Sequence, residues 1–407
     1  MLRIRPFQGL RPAPGLAPEV ACVPYDVVDR GEAAALAAGN PHSLLHVDRA
    51  EIDLPAGTDP YSDTVYAKAQ ENFLRLQKDA DLVRETGRVV YLYEQRMGDH
   101  VQTGLAALCH IDDYDANLIK KHEKTRKDKE DDRTRLIGTI SADTGPVFLT
   151  YRDVRSIDRI VDEAKRELTL YDFTAPDGIR HTVWRVEHPG GLVEDFGGVP
   201  CAYVADGHHR TASAVRVGKE RRAANPNHTG NEEYNWFLAV LFPASQLRIL
   251  PYNRCVHDLN GRTEEGLRAE LKAAGFVVDV AAESTPPGPG EVRMFLAGKW
   301  YRMAWTPDPE ADPIARLDVT VLQERVLGPL LGIDDPRTSK RIDFIGGIRG
   351  TAELERRVTA GRGAVAFSMH PTTVEQLMDI ADAGAIMPPK STWFEPKLRS
   401  GLFIHTF

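Results

Sequence analysis

In the sequence ADGHHRTASA, Ala205 to Ala214, an apolar run ends. It is followed by an acid, a glycine and three cationic or potentially cationic side chains. The apolar run favours extended backbone, Gly207 permits a tight turn, and the residues from Thr211 to Val217 are compatible with a helix. The stretch therefore predicts a strand that ends in a polar turn at the start of a helix. Backbone N–H groups at a helix start, beside Arg210, suit an anion, so we expect a phosphate here.

The polar side chains around Gly207 allow other interpretations. Asp206 and two histidines are metal ligands by type, but adjacent residues of an extended chain point to opposite sides. His208 and His209 therefore do not readily bind one ion together, and Asp206 remains the candidate metal ligand. A phosphate cradle fits the pair Gly207 and Arg210 better, since a guanidinium donates two hydrogen bonds to one phosphate. A capped turn with surface histidines is the alternative without a ligand.

Composition limits the classes of function. A chain of 407 residues is long enough for two or three domains at about 150 residues each. Its net charge of −8 gives no bulk attraction to nucleic acid or anionic lipid, so an anionic small-molecule substrate needs a local basic site. We expect a cytoplasmic protein, because the sequence has neither a signal-peptide core nor a run of about 18 apolar residues. The four cysteines are widely spaced and indicate no zinc site or disulfide framework.

The order of predicted elements indicates an α+β fold. Strands and helices alternate irregularly, without the regular units of a doubly wound sheet. An Asn-Gly pair at Asn260 and the Pro/Gly-rich residues 283–291 mark a change in the composition of the chain. We place the domain boundary near residue 257. Residues 1–257 are then a phosphate-binding catalytic region with a mixed sheet. Residues 258–407 are a smaller α+β region whose MPPKSTWFEPK tail packs back toward the site.

A highly charged stretch runs from Leu118 to Ile137, with no apolar residue between Ile119 and Leu136. Charge pairs at a spacing of four, such as Glu123 with Lys127, favour a helix. Such a helix has no apolar face to bury. Either the helix is solvated, or one side of it lines a polar cleft.

The HEKT motif that begins at His122 resembles the start of a zinc-protease helix, but Arg126 stands where the second histidine belongs, which removes that interpretation. On a helix, His122, Arg126, Lys129 and Arg133 share one face, with Glu123 one position round. A carboxylate beside cations is what transfer of a phosphoryl group to a hydroxyl needs: a base for the alcohol and positive charge for the migrating group. The alternative is a solvated charged helix.

Two further places carry candidate residues. Asp26 follows an apolar run in PYDVV and has the chemistry to bind magnesium or a substrate amino group, although a turn-forming aspartate is common there. In the tail, Lys390 lies among hydroxyl side chains and a second lysine, Lys397, and can bring positive charge to a phosphate; the alternative is a rigid, docked tail. The sequence contains neither a P-loop motif nor a Rossmann G-x-G-x-x-G motif.

Seven motifs in fixed order resemble one family, long filed as a domain of unknown function and linked to ParB/sulfiredoxin-like free L-serine kinases. The resemblance runs essentially from end to end. The motifs are IRPFQGLRP (4–12), VPYDVV (23–28), NPHSLLHV (40–47), HEKT (122–125) with DDR (131–133), ADGHHRTASA (205–214), ILPYNR (249–254) and MPPKSTWFEPKLRSGL (387–402).

The resemblance implies a ParB/sulfiredoxin-like fold in which a Gly-x-x-Arg turn holds nucleotide phosphates, and Gly207 to Arg210 matches that turn. Sulfiredoxins carry their catalytic cysteine directly after this glycine, whereas this chain has His208, so reductase chemistry is not implied. The serine kinases use a carboxylate to activate the hydroxyl, and a divalent metal with the donor. Glu123 is the best candidate base, and Asp26 and Asp206 are alternatives or metal partners.

These inferences predict a magnesium-dependent phosphotransferase that uses ATP, ADP or pyrophosphate and acts on a small hydroxylated metabolite, with free L-serine the leading acceptor. The competing hypothesis is a ParB-like nucleotide-binding switch without kinase activity. Glu123 is the predicted base. The predicted phosphate contacts and charge-offsetting groups are Gly207, His208, His209, Arg210, His122, Lys129, Arg133 and Lys390.

Overall fold

Two units make up the computed structural model, which describes residues 1–79 and 81–407. The first unit contains residues 1–247 and 396–407, and the second contains residues 248–395. The sequence-based boundary near residue 257 differs from this division. The strand Tyr252–Val256 lies in the second unit because it pairs on both sides with strands of that unit, a long-range pairing that turn composition does not reveal.

The first unit is built on a large mixed sheet. Two strand pairs in it are parallel and the others antiparallel. The strands Val147–Tyr151 and Trp236–Pro243 form one parallel pair, and their nearly continuous burial explains why both are apolar runs without alternation. In spatial order the sheet contains Ile119–Lys120, Ala202–Asp206, Val147–Tyr151, Trp236–Pro243, His100–His110, Val90–Met97, Arg180–Val186 and Tyr171–Thr174, with Ile4–Arg5 paired to His100–His110.

Helices of the first unit surround this sheet, and two of them shape the candidate site. We call Lys127–Ile140 the charged helix and His208–Ala224 the cradle helix. The others are Ala17–Val20, Arg30–Ala37, Leu45–Asp48, Asp63–Lys78, Ile111–Asp115, Arg155–Ala164 and Gly190–Phe196. Two short strand pairs complete the unit, Leu10–Pro12 with Leu82–Arg84 and Ala142–Asp143 with His405–Thr406.

The second unit contains an antiparallel sheet covered by short helices. Its strands, in spatial order, are Val277–Val280, Lys299–Ala304, Glu291–Leu296, Val365–Ser368, Tyr252–Val256 and Ile342–Gly346. Its helices are Glu264–Ala273, Asp318–Leu322, the π-helical Gln323–Leu327, Ala352–Thr359 and Val374–Asp382. A short strand pair joins Arg248–Ile249 to Phe394–Glu395. The mixed sheet of one unit and the antiparallel sheet of the other confirm the α+β prediction.

No helix in the described part of the chain is both long enough and apolar enough to cross a membrane.

A buried histidine near the end of the chain makes the stability of the first unit depend on pH. The ring of His405 is 2% exposed and lies 3.3 Å from a carboxylate oxygen of Asp143 and 3.3 Å from one of Glu233. Burial alone lowers its pKa, but the two carboxylates outweigh burial and raise the pKa above its ordinary value. Arg5 and Arg88 complete the network on Glu233.

We expect the folded first unit to lose stability as the pH rises above about 6.5, the ordinary histidine pKa. A group whose pKa is raised in the folded state contributes its full stabilisation at pH values below its pKa in the unfolded state. This contribution disappears as the pH rises through the pKa of the folded state. Urea denaturation of the wild type and of His405→Gln between pH 6 and 9 measures the effect. The free-energy difference between the two proteins should shrink with rising pH, and a constant difference would contradict the assignment.

Candidate functional site

The DGHHR turn, residues 206–210, has the backbone that the sequence predicts. The buried strand Ala202–Asp206 ends here, and Gly207 precedes the first residue of the cradle helix with a φ of +89°. A side chain is strained in this left-handed region, and a Cβ at Gly207 would lie 3.1 Å from Nε of Arg210. The first N–H groups of an α-helix have no partners within the helix, so the geometry of this turn suits an anion.

Arg210 lies beneath the turn and faces inward. Its Nη1 donates to the carbonyl of Pro146 at 2.7 Å, its Nη2 lies 3.7 Å from Oδ2 of Asp206, and the residue is 8% exposed. Helical side chains tilt toward the N-terminus, which brings this guanidinium under Gly207. The sequence predicts that Arg210 binds a phosphate through two hydrogen bonds. In the structure its Nη1 already donates to Pro146 and its Nη2 faces Asp206, and the phosphate contact stays a prediction.

Asp206 is held between two cations. Nζ of Lys397, from the chain terminus, lies 3.4 Å from Oδ2 of Asp206. Burial raises the pKa of Asp206, but Lys397 and Arg210 outweigh burial and lower that pKa to about 2. Asp206 is therefore an ion whose charge is already compensated. The second tail lysine, Lys390, belongs to the second unit, where its Nζ lies 5.6 Å from the centroid of the Tyr252 ring.

The HEKT motif lies in a loop, which corrects the prediction of a helix through it. The strand Ile119–Lys120 precedes the motif, and the charged helix begins only at Lys127. This strand runs parallel to Ala202–Asp206, with Ile119 beside Ala202. Segments that follow neighbouring parallel strands leave the sheet at the same edge, so HEKT lies next to the DGHHR turn. Local charge pairs favour a helix, but this sheet pairing outweighs them.

The loop and the turn bring together what we call the His–Glu cluster: His122, Glu123 and His208. The two imidazole centroids lie 4.5 Å apart at an interplanar angle of 85°. One potential ligand atom from each of the three residues lies within 4.8 Å of the other two. Burial lowers the pKa of both histidines, that of His208 to about 4, and the ring of His208 lowers the pKa of His122 further. Both rings are therefore neutral at pH 7.

His209 has a different role from its neighbour. Its Nε2 accepts a hydrogen bond from the backbone N–H of Arg126 at 3.0 Å. This contact fastens the end of the HEKT loop to the turn. The prediction that adjacent histidines do not share a ligand agrees with this arrangement, but the sequence offers no signal that His208 meets His122. The two are far apart in the chain, and only the parallel strand pairing joins them.

The charged helix does not present the predicted row of cations to the turn. Arg126 precedes the helix and pairs with Asp128, and Lys129 donates to the hydroxyl of Tyr61 at 3.0 Å. Arg133 is 8% exposed and pairs with Asp132, with its guanidinium 4.0 Å from the Tyr25 ring centroid. One side of the charged helix lines a cavity whose walls are both polar and apolar. Arg133, Arg210 and Asp48 are among the polar residues, and Leu136 and Ile137 are among the apolar ones.

Asp26 is exposed in a turn directly after Tyr25. The ring of Tyr25, rather than the carboxylate of Asp26, forms the described contact with Arg133. The structure therefore unites His122, Glu123, His208 and His209 at one edge of the sheet. Lys129 is bonded to Tyr61 and Arg133 to Asp132, and Lys390 lies in the other unit.

The fold and site define an α+β protein in which a glycine turn at a helix start lies beside a His–Glu cluster. The model of a family described as "Protein of unknown function (DUF1015)" matches residues 4–320. The chain belongs to this family, which confirms the family assignment made from the ordered motifs. No curated protein matches the chain.

Several solved structures are similar to this chain. A mutant free serine kinase in complex with ADP is 14% identical, with 73% of this chain and 91% of that chain covered and a TM-score of 0.38. SbnI with a C-terminal truncation, from Staphylococcus aureus, is 14% identical, with coverages of 71% and 82% and a TM-score of 0.39. A conserved hypothetical protein from Pyrococcus furiosus is 15% identical, with coverages of 73% and 95% and a TM-score of 0.37.

Proposed function

We propose that this protein is a phosphotransferase that moves a phosphoryl group from ATP, ADP or pyrophosphate to the hydroxyl of a small metabolite. Free L-serine is the leading acceptor, and O-phosphoserine is then the product. The observation that carries the proposal is the position of Glu123. Its half-buried carboxylate lies beside His208, the first residue of the cradle helix. The candidate base is therefore next to a helix start that suits an anion.

The donor phosphates bind, in this proposal, to the first N–H groups of the cradle helix. Gly207 has no side chain to block them, and the positive end of the helix dipole faces the phosphate. Arg210 and Lys397 are close enough to Asp206 to compensate its negative charge, which would otherwise repel the donor. The same turn supports our assignment of the first unit to the ParB/sulfiredoxin-like phosphate-binding folds.

Glu123 takes the proton of the acceptor hydroxyl. As that proton leaves, the hydroxyl oxygen forms a bond to the donor's terminal phosphorus, and the bond from phosphorus to the leaving phosphate oxygen breaks. Asp206 is less suited to this role, because Lys397 and Arg210 already occupy its carboxylate. Asp26 is the remaining alternative base, and its exposed position in a turn offers no pocket of its own.

Magnesium commonly accompanies phosphoryl donors and prefers oxygen ligands in an octahedral shell. The described side chains at the turn do not form such a shell. The His–Glu cluster offers two imidazoles and one carboxylate, and Asp206 is already paired with cations. Magnesium in this proposal therefore enters with the phosphates of the donor rather than in a cage made by the protein.

A product assay tests the proposal. The purified protein with magnesium is incubated with ATP, ADP or pyrophosphate, each with and without L-serine, and phosphoserine is measured by phosphorus NMR and mass spectrometry. We expect phosphoserine with at least one donor. Nucleotide binding or hydrolysis that is indifferent to every small hydroxylated acceptor would contradict the proposal and favour the ParB-like switch.

Gly207→Ala is expected to weaken the binding of pyrophosphate. Alanine is strained at the positive φ of this position, and its Cβ would lie 3.1 Å from the Arg210 guanidinium. The turn must therefore change shape. We expect a loss of about 1–2 kcal/mol in folding stability and at least tenfold in pyrophosphate affinity. Thermal unfolding with and without pyrophosphate measures both effects.

Gly178→Ala is the matched control for this experiment. Gly178 also has a positive φ, of +81°, but a Cβ there has no neighbour within 4 Å. This variant should lose similar stability through backbone strain while binding pyrophosphate like the wild type. Equal loss of binding in both variants would argue against a cradle at Gly207.

A further inference from the structure

We infer that His122, Glu123 and His208 form a binding site for one divalent transition-metal ion, such as Zn²⁺, Co²⁺ or Mn²⁺. This site goes beyond the proposed phosphotransfer and does not depend on it. The sequence does not indicate this site, because it offers Asp206 as the candidate metal ligand and its zinc-protease pattern fails at Arg126.

The three side chains of the His–Glu cluster lie close enough together to bind one ion. In the described part of the chain, these residues are the one group of three or more histidine, cysteine or acidic side chains whose potential ligand atoms come this close together. All three atoms lie within 4.8 Å of one another. Ligands of a tetrahedral ion at about 2.0–2.2 Å lie somewhat over 3 Å apart, so small side-chain movements are sufficient to close the site.

His208 carries an unsatisfied polar atom. His208 is 7% exposed, and among the described residues its buried Nε2 has no hydrogen-bond partner. A buried polar atom without a partner costs about 1–3 kcal/mol, so such atoms usually have an unseen partner. His208 belongs to the cluster and lies against the ring of His122. A metal ion at this place satisfies the nitrogen.

The orientation of the His122 ring also suits a metal ligand. Its ring donates a hydrogen bond to the backbone carbonyl of Val204 in the strand that precedes the turn. A histidine that binds a metal commonly donates its other ring N–H to a backbone carbonyl, which fixes the tautomer and aims the lone pair at the ion. The strand pairing that creates the cluster therefore also orients one of its ligands.

The donor set selects the kind of metal. Two neutral imidazoles and one carboxylate suit zinc, cobalt, manganese or iron, whereas magnesium prefers oxygen ligands. Three protein ligands leave a fourth position for water or a substrate oxygen, the pattern of catalytic rather than structural zinc sites. A carboxylate has two oxygens, so one oxygen of Glu123 can bind the ion while the other accepts a proton.

Metal binding is measured on the full chain without any phosphoryl donor or acceptor. The protein is treated with EDTA, dialysed and titrated with Co²⁺, followed by its visible absorption and by calorimetry, and Zn²⁺ is then used to displace Co²⁺. We expect one ion per chain, no displacement by a large excess of Mg²⁺, and a loss of affinity on the order of a hundredfold or more in His208→Gln and His122→Gln.

His209→Gln is the matched control, because His209 neighbours the cluster but hydrogen bonds to Arg126 instead. It should bind Co²⁺ like the wild type. Glu123→Gln changes a half-buried position. It provides a second test if circular dichroism shows that a histidine variant does not fold. Failure of the wild type to bind either ion, or unchanged affinity in a folded His208→Gln or Glu123→Gln variant, would overturn the site. These results do not involve phosphoserine and so stand apart from the proposed function.

Discussion

Glu123→Gln is expected to reduce phosphoryl transfer to L-serine by about 10²- to 10⁴-fold, the usual contribution of a positioned general base. The amide has nearly the same shape as the carboxylate but does not accept the hydroxyl proton. Because Glu123 lies in a loop and is half-buried, the fold should be preserved. Single-turnover formation of phosphoserine, with circular dichroism of the same sample, measures both parts of this prediction.

Asp26→Asn is the control that tests the alternative base. Asp26 is an exposed carboxylate in a turn, and this variant should retain most of the activity if Glu123 is the base. The opposite result, with activity lost in Asp26→Asn and kept in Glu123→Gln, would show that the base assignment is wrong. The metal content of each variant is measured in parallel, so that loss of an ion is not mistaken for loss of a base.

Arg133→Met is expected to destabilise the first unit by about 3–5 kcal/mol, the usual effect of breaking a buried ion pair from one side. Arg133 and Asp132 are 8% and 6% exposed, and the guanidinium also donates to the carbonyl of Asp48. Without Arg133, Asp132 remains as a buried charge with the hydroxyl of Tyr66 as its described donor. Urea denaturation, with hydrogen exchange to assign the transition to the first unit, measures the loss.

Arg135→Met on the same helix is the matched control. Arg135 pairs with the exposed Asp63 and stacks on the ring of Tyr66, so its removal should cost about 1 kcal/mol or less. The double variant Asp132→Leu/Arg133→Met should recover part of the stability, because it leaves no unpaired charge. If Arg133→Met is as stable as the wild type but binds pyrophosphate poorly, then Arg133 contacts phosphate, as the sequence predicts.

The sequence predicts well the features that depend on neighbours in the chain. The strand Ala202–Asp206, the left-handed Gly207 and the cradle helix follow from an apolar run, a glycine and a helix-compatible segment within about twenty residues. The strands Val147–Tyr151 and Trp236–Pro243 follow from apolar composition alone. In each case the physical preference is local, so the pattern carries the information.

The predictions that fail concern features settled by distant partners. Charge pairs favour a helix through HEKT, but pairing of Ile119 with Ala202 keeps this segment at a sheet edge until Lys127. The position of the Arg210 guanidinium is likewise settled by a distant partner, because its Nη1 donates to the carbonyl of Pro146, and its contact with phosphate stays a prediction. Residue type indicates what a side chain can bind, and the surrounding packing decides what it does bind.

The sequence by itself determined the DGHHR turn and, through seven motifs in order, the family to which the chain belongs. Only the tertiary structure decided which side chains meet there. Parallel pairing of two short strands brings His122 and Glu123 to His208, and the returning terminus brings Lys397 to Asp206. The reason is that backbone conformation depends on nearby residues, whereas a binding site depends on contacts between segments that the linear order keeps apart.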